Sequence, residues 1–155
     1  MAEDVVRLVR RQAVVVETVL AATSGDLARP RLEVQPHVAG DEALRLVDEG
    51  ASVVISDVNP DGLADTEAYA SKQRAGAVHA ITGDVADPAL AEQLVAEAHG
   101  RFGGVDVLAN VAGILHTAIT HEHDLDMWTR VLTINLTGTL DNVGATFRVG
   151  GVAGA

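Results

Sequence analysis

Short apolar runs alternate with helix-like stretches from Asp41 to about residue 140, and this alternation limits the possible folds more than any other feature. The runs are SVVISD, AVHAI and VDVLAN, at residues 52–57, 77–81 and 105–110. Strands of this length, joined by helices, make right-handed crossovers and line up in parallel. Apolar residues fill nearly every position of each run, as expected for strands covered on both faces. The sequence therefore predicts an α/β fold with a doubly wound parallel sheet.

Helices are predicted over residues 41–50, 63–74, 87–101 and 125–140. The third has the clearest start, because Asp87 is a good N-cap and Pro88 fits the first turn. Gly50 is a typical stop for the first helix. NPDG, at residues 59–62, is interpreted as a turn that leads into the second helix.

The two ends of the chain lack this regular pattern. Residues 1–40 are predicted to be irregular, with one candidate strand, AVVV, at residues 13–16. Residues 41–142 form the predicted domain. Residues 143–155 are rich in glycine and alanine, and we expect them to be a loosely ordered tail.

Composition excludes several classes of function. The 155 residues are 48% hydrophobic but only 3% aromatic, so small aliphatic side chains must build the core. A net charge of −11 disfavours nucleic acids and anionic membranes as partners. The chain has no cysteine for disulfides or thiolate metal sites. With no membrane-length apolar run and no export signal, we expect a cytoplasmic protein.

Polar and small residues lie where the predicted strands end, the position at which parallel sheets bind ligands. Asp57 closes one strand, and its carboxylate can accept hydrogen bonds from both hydroxyls of an adenosine ribose while repelling a 2′-phosphate. This favours NAD over NADP, although an aspartate that only caps the next turn explains the residue equally well. Asp84 can accept from an adenine amine while the Val85 amide serves a ring nitrogen, or it can be a simple turn acid.

Four segments together resemble successive motifs of the classical short-chain dehydrogenase/reductase family. They are GASVVISDVN, GDVADP, DVLANVAGI and WTRVLTINLTGT. The order matches, and so do two intervals: 26 residues separate Asp84 from Asn110, and 24 separate Val111 from Asn135. The resemblance covers residues 41–140, about two-thirds of the chain.

The resemblance implies a partial Rossmann-type sheet and an NAD-dependent oxidoreductase that interconverts small-molecule alcohols and ketones. Asn135 would be a catalytic residue, because the backbone carbonyl at this place in the family holds a water of the proton relay. Val111 departs from the second Asn of the family motif. The implied cofactor contacts are Asp57, Val58, Asp84, Val85, Asn110, Ala112 and Gly113.

Two family elements have no counterpart in the sequence. Upstream of the first predicted helix the only glycines are Gly25 and Gly40, which do not make a glycine-rich pyrophosphate turn. After Asn135 there is no Ser, Tyr or Lys, and the only tyrosine and lysine are Tyr69 and Lys72. We therefore expect a truncated or frame-disturbed form that binds NAD weakly and does not catalyse hydride transfer.

Three other interpretations remain. His121–Asp124 (HEHD) is a weak candidate for a metal site, since adjacent ligands in a loop are usually solvated, and no metal is expected. VVISDVNPDG resembles the phosphoacceptor strand end of a receiver domain, but no lysine follows Lys72. A non-enzymatic module that binds a nucleotide, or forms a homo-oligomer through the 125–140 helix and its Trp128 stripe, is the third.

Overall fold

The structure of this chain is a computed structural model that describes residues 12–16, 19–20, 38–116, 121 and 124–150. In chain order its strands are β1 Gln12–Val16, β2 Val19–Leu20, β3 Ser52–Asp57, β4 Val78–Thr82, β5 Val107–Asn110 and β6 Gly113–Ile114. Its helices are α1 Val38–Asp48, α2 Pro60–Gln73, α3 Pro88–Phe102, α4 Leu125–Leu132 and α5 Gly138–Gly150. A π-helical stretch, Thr133–Thr137, joins α4 to α5.

Four parallel strands form the larger sheet, in the spatial order β4-β3-β1-β5. The chain moves outward from β1 through β3 to β4, then crosses back to place β5 on the other side of β1. This reversal makes the sheet doubly wound and confirms the predicted Rossmann-type α/β fold. The candidate strand AVVV is part of β1, which begins at Gln12. A second, two-stranded parallel sheet pairs β2 with β6.

Helices cover both faces of the larger sheet, and β3 shows why its sequence is almost entirely apolar. Val53 and Ile55 face the layer that contains α1 and α2, whereas Val54 faces the layer that contains α3. All three side chains are fully buried, and each contributes roughly 1.5–3 kcal/mol by leaving water. The helices add to the first layer Ala43, Val47, Leu63 and Ala70, and to the second Leu90, Leu94, Ala98 and Ile134.

Side-chain caps determine where two of the helices begin. Asp87 caps α3 as predicted, since its carboxylate accepts from the Ala89 amide at 3.0 Å. The helix α2 starts at Pro60 rather than at Leu63. Asn59 is its N-cap and accepts from two amides of the first turn, so NPDG is the start of the helix and not a turn before it. The helix α1 likewise starts earlier than expected, at Val38.

The C-terminal helix continues past the predicted end near residue 140 and reaches Gly150. The expectation of a loose tail from residue 143 is therefore not met over residues 143–150, and residues 151–155 lie outside the described part. The physical reason is packing: Ala145 is fully buried and contacts Ala91 and Val95 of α3. Small residues that suggest disorder in a sequence are here the surface through which two helices approach closely.

Candidate functional site

The strand ends converge at one edge of the larger sheet because the strands are parallel and in register. Asp57 is opposite Thr82 of β4, and the Asp57 carbonyl accepts from the Gly83 amide at 3.0 Å. On the other side, Val16 of β1 pairs with Ser56 and with Asn110. The ends of β3, β4 and β5 therefore meet at the carboxyl edge, where open α/β sheets bind ligands.

Asp57 is half-buried at this edge, and one of its oxygens is already engaged. Its Oδ1 accepts from the Asn59 amide at 2.7 Å, so the residue does cap the turn that follows β3. Burial raises the pKa of the Asp57 carboxyl above its usual value, and hydrogen bonds from the backbone amides of Asn59 and Val58 oppose this shift. A carboxylate has about four acceptor positions, so the Asp57 group can accept further hydrogen bonds beside these two.

Asp84 and Val85 lie in the loop that follows β4. Asp84 Oδ1 accepts from the Ala86 amide at 2.9 Å, and Asp84 Oδ2 lies 3.8 Å from a guanidinium nitrogen of Arg130 on α4. The turn alternative therefore describes one oxygen of Asp84, the other oxygen faces the Arg130 side chain, and adenine recognition stays a prediction. Val85 is buried, with 4% of its surface exposed, and packs in the α3 layer.

Asn110, at the tip of β5, is exposed, and its side chain is tied to the C-terminal helix. Its Oδ1 accepts from Nδ2 of Asn142 at 3.1 Å. Asn142 belongs to α5 and is one of two buried polar side chains among the described residues, with 3% of its surface exposed. The bond spans 32 residues of sequence and links a strand tip to a helix.

Ala112 and Gly113 continue from this tip into β6. Ala112 is partly buried and packs against the α3 layer. A Cβ added at Gly113 would lie 3.6 Å from Oδ1 of Asn135, which is an ordinary contact, so the neighbouring protein atoms do not by themselves require glycine here. A glycine at this place leaves the backbone open to close approach by a ligand.

Asn135 lies in the π-helical stretch, and its side-chain amide pairs with the backbone of Ile114 through two hydrogen bonds. Its own carbonyl accepts from the Thr139 hydroxyl at 3.2 Å. Short π-helical turns are uncommon and occur frequently at functional sites.

The continuous run of α4, the π-helical stretch and α5 thus contacts three segments of the candidate site. Arg130 reaches Asp84, Asn135 bonds to Ile114, and Asn142 bonds to Asn110. Gly138 lies against the Val85 backbone, where an added Cβ would be 2.8 Å from the Val85 carbonyl oxygen.

Sequence reasoning missed Arg130, Gly138 and Asn142. For Gly138 and Asn142, the sequence does contain a feature that could have identified them. Gly138 is a glycine inside a helical pattern, which often marks close packing. Asn142 is a polar residue that a long, mostly apolar helix has no other reason to carry. Arg130 carries no such signal, because an exposed arginine on a helix is ordinary.

The remaining candidates lie away from this edge or only partly within the described residues. Val111, which replaces the second Asn of the family motif, packs against the α1 and α2 layer. Asp124 caps α4 by accepting from the Asp126 amide at 2.9 Å, while residues 122 and 123 of the HEHD segment lie outside the described part. Over the residues that are described, no three His, Cys, Asp or Glu side chains cluster as metal ligands. Among the described helices, none has both the length and the apolar character to cross a membrane.

Comparison with known proteins supplies the context for this geometry. A family model described as short chain dehydrogenase matches residues 40–149. The chain is 40% identical over 90 residues to short chain dehydrogenase/reductase dpmpG of Macrophomina phaseolina, a match that covers 57% of this chain and 51% of that protein. It is 36% identical over 104 residues to the 3-alpha-(or 20-beta)-hydroxysteroid dehydrogenase of Mycobacterium bovis, covering 66% of this chain and 38% of the relative.

A solved structure extends the similarity to the tertiary level. The crystal structure of an actinorhodin polyketide ketoreductase variant with NADPH superimposes with a TM-score of 0.73 at 28% sequence identity. The superposition covers 93% of this chain and 49% of that one. The chain therefore spans about half the length, or less, of these relatives.

Proposed function

This chain belongs to the short-chain dehydrogenase/reductase family of oxidoreductases, and on that premise we propose that it carries the adenosine half of an NAD site. One observation carries the proposal: the strand register brings Asp57, the Asp84 loop and Asn110 to one edge of the sheet. The substrates we propose for the complete enzyme are small alcohols or ketones, which agrees with the hydroxysteroid and ketoreductase activities that the relatives' names state.

The choice of NAD over NADP rests on Asp57. Its second carboxylate oxygen can accept from the ribose hydroxyls, while its negative charge opposes a 2′-phosphate at the same place. No arginine follows Asp57 in the turn to pair with such a phosphate, since the next residues are Val58 and Asn59. The NADPH of the ketoreductase is a property of that protein.

Adenine would lie against the loop after β4. Asp84 Oδ2 can accept from the exocyclic amine of adenine, and the Val85 amide can donate to a ring nitrogen. Asn110, Ala112 and Gly113 would line the next part of the ligand along the tip of β5. Two observations support these roles: the turn bond of Asp84 uses Oδ1 and not Oδ2, and the bond of Asn110 to Asn142 uses Oδ1 and not Nδ2.

Hydride transfer to or from the nicotinamide ring is the chemistry that NAD supplies when it is bound. Of this chain's residues, we propose Asn135 to hold a water through its carbonyl, which is supported by the two bonds that fix its side chain to Ile114. Tyr69 and Lys72 lie on α2, and Tyr69 is 55% exposed. We therefore propose that these 155 residues, taken alone, bind NAD more weakly than a complete relative and do not transfer hydride.

Calorimetric titration of the 155-residue chain tests the proposal. NAD should bind measurably and NADP more weakly, and Asp57→Asn should narrow the difference by removing the charge that opposes the 2′-phosphate. Asp61→Asn, an exposed acid of the same helix start, is the matched control and should leave both affinities unchanged. Absence of NAD binding would contradict the site, and oxidation of NADH with a ketone would contradict the inactivity of the chain.

A second candidate function, self-association, is favoured by the exposed face that runs along α4, the π-helical stretch and α5. Large apolar side chains recur there every three or four residues, and these are exposed: Leu125, Trp128, Leu132, Leu136, Leu140 and Phe147. An apolar stripe of this length is unusual for the surface of a monomer. We propose a second copy of this chain as its occupant.

Charge supports an antiparallel arrangement of two such helices. Pairing about residue 137 brings Trp128 of one copy near Phe147 of the other, and Asp126 near Arg148. Light scattering after size exclusion should show a dimer, and Leu136→Glu with Leu140→Glu should give a monomer. Tyr69→Glu, at an exposed aromatic off the stripe, should leave the dimer intact. A monomer for the unmodified chain would exclude this candidate.

A further inference from the structure

Asn142 is a buried polar side chain in a part of α5 that otherwise buries a small apolar residue. It lies on the buried face of α5, its surface is 3% exposed, and Ala145, one turn later, is fully buried against α3. Burying an amide without a partner is unfavourable, whereas an apolar residue of similar size would carry no such penalty. A polar side chain at this position therefore requires an explanation beyond filling space.

The partner of Asn142 is the predicted cofactor contact at the tip of β5. Asn142 Nδ2 donates to Asn110 Oδ1 at 3.1 Å. Asn110 is exposed, and an exposed asparagine at a strand end ordinarily samples several rotamers. The hydrogen bond from a buried residue holds it in one.

The direction of this hydrogen bond has a chemical consequence. Because Asn110 Oδ1 accepts from Asn142, the Nδ2 group of Asn110 is the part of the amide left for a ligand. Nδ2 carries two hydrogen-bond donors and no acceptor. The ligand group that binds there should be an acceptor oxygen.

From these relationships we infer that Asn142 is a positioning residue of the nucleotide site, which it serves by orienting the Asn110 amide so that its N–H donors face a ribose or phosphate oxygen of the ligand. The inference rests on the proposed function, because it needs a nucleotide at this edge. It assigns to Asn142 a role that acts only through Asn110.

A double-mutant cycle on NAD binding tests this dependence. Asn142→Leu should raise the Kd of NAD roughly three- to tenfold in the unmodified chain, the range expected for the net contribution of one hydrogen bond. In the Asn110→Ala background the same substitution should change the Kd less than about twofold, because the side chain that Asn142 orients is gone.

A matched control separates positioning from stability. Thr146 lies one turn after Asn142 and donates to its backbone carbonyl at 2.8 Å, whereas the side-chain bond to Asn110 comes from Asn142. Thr146→Val should lower the free energy of unfolding in urea and leave the Kd of NAD unchanged. Equal losses of affinity from Asn142→Leu in both backgrounds would overturn the inference and leave the proposed function standing.

A further substitution tests whether Asn110 donates hydrogen bonds to an acceptor group of the ligand. Asn110→Asp keeps an acceptor for Asn142 but replaces the two donors with a second acceptor oxygen. It should bind NAD no better than Asn110→Ala, and binding at the unmodified level would overturn the assignment of the donors to the ligand.

A measurement on the unmodified chain keeps the inference falsifiable if the Asn142 variants do not fold. In ¹H–¹⁵N spectra, the Nδ2 resonances of Asn110 should shift on saturation with NAD, while those of buried Asn142 should exchange slowly with water throughout. Unchanged Asn110 side-chain resonances at saturating NAD would overturn the inference alone. A chain that does not bind NAD at all would overturn both the inference and the proposed function.

Discussion

Asn135 pairs with Ile114 as though its side chain were a short piece of β-strand. Its Nδ2 donates to the Ile114 carbonyl at 2.9 Å, and its Oδ1 accepts from the Ile114 amide at 2.8 Å. The two bonds attach the π-helical stretch to β6, at the residue that follows Gly113. One asparagine therefore satisfies both backbone groups of a residue at the end of a sheet.

Replacing Asn135 should cost more than an exposed helix position normally does. Asn135→Leu removes both bonds and leaves the amide and carbonyl of buried Ile114 without this partner, so the free energy of unfolding should fall by about 1–3 kcal/mol. Thr129→Val, which loses only an exposed hydroxyl bond to the Leu125 carbonyl, should change it by less than about 0.5 kcal/mol. Urea unfolding measures both, and equal effects would contradict the bridging role.

Two helical glycines should respond to alanine in opposite directions. A Cβ at Gly138 would lie 2.8 Å from both the carbonyl oxygen and Cγ2 of Val85, and backbone cannot easily move away, so Gly138→Ala should destabilise the chain by about 1–3 kcal/mol. A Cβ at Gly100 meets nothing within 4 Å, so Gly100→Ala should stabilise it by up to about 1 kcal/mol through helix propensity. Shifts of the same sign in thermal or urea unfolding would show that the Gly138 contact is not tight.

Asp57 should couple pH both to stability and to NAD binding. Burial raises the pKa of this carboxyl in the folded chain, so the unfolded chain ionises first as pH rises. Stability should therefore fall as pH rises from the ordinary aspartate value through the folded one, and Asp57→Asn should remove that loss. Urea unfolding across this range, with Asp61→Asn as the control, measures the difference. A difference between Asp57→Asn and the unmodified chain that does not vary with pH would contradict the shift.

NAD affinity should follow the opposite trend over the same window. The ionised carboxylate accepts more strongly from ribose hydroxyls than the protonated carboxyl does, so the affinity should weaken as pH falls through the raised pKa of Asp57. Asp57→Asn should bind weakly at every pH in this window. Calorimetry at several pH values measures the profile, and an affinity of the unmodified chain that is independent of pH there would argue that Asp57 does not contact the ligand as a carboxylate.

Arg74 should be the most sensitive arginine for stability. Its guanidinium donates to the carbonyls of Gly50 and Ala51, the first at 2.7 Å, and so ties the end of α2 to the start of β3. Arg74→Met should lower the free energy of unfolding by about 1–3 kcal/mol, because both carbonyls lose a partner. Arg74→Lys should rescue little, since an ammonium lacks the planar fork.

The control for Arg74 is an exposed ion pair on the other side of the fold. Arg148 lies 3.4 Å from Glu92, and both side chains are largely exposed. Arg148→Met should change stability by less than about 0.5 kcal/mol. If both arginines have equal effects, the Arg74 bonds contribute no more than a surface pair.

The sheet and most of its helices were predictable because their signals are local. The run SVVISD is apolar at nearly every position, as a strand covered on both faces must be, and Asp87-Pro88 is both a cap and a first turn. The family resemblance rested on the same local segments, and the family match over residues 40–149 confirms it. The intervals between those segments reflect the lengths of the intervening strands, helices and loops.

The extent of the C-terminal helix was not predictable from local sequence. The many small residues after residue 140 give no clear helical pattern in the sequence. The helix continues because Ala145 packs against Ala91 and Val95 of α3. The start of α2 was missed for a smaller reason, because NPDG is equally compatible with a turn and with a capped first turn.

The sequence by itself determined the class of fold and the chemical types at the strand ends, since periodicity, caps and motif spacing are properties of neighbouring residues. Only the tertiary structure decided how those ends are held: Asn142 with Asn110 and Asn135 with Ile114 join residues 32 and 21 positions apart, and Gly138 contacts Val85 across the fold. Hydrogen-bond direction and atomic overlap depend on where distant segments meet, and that information exists only once the chain has folded.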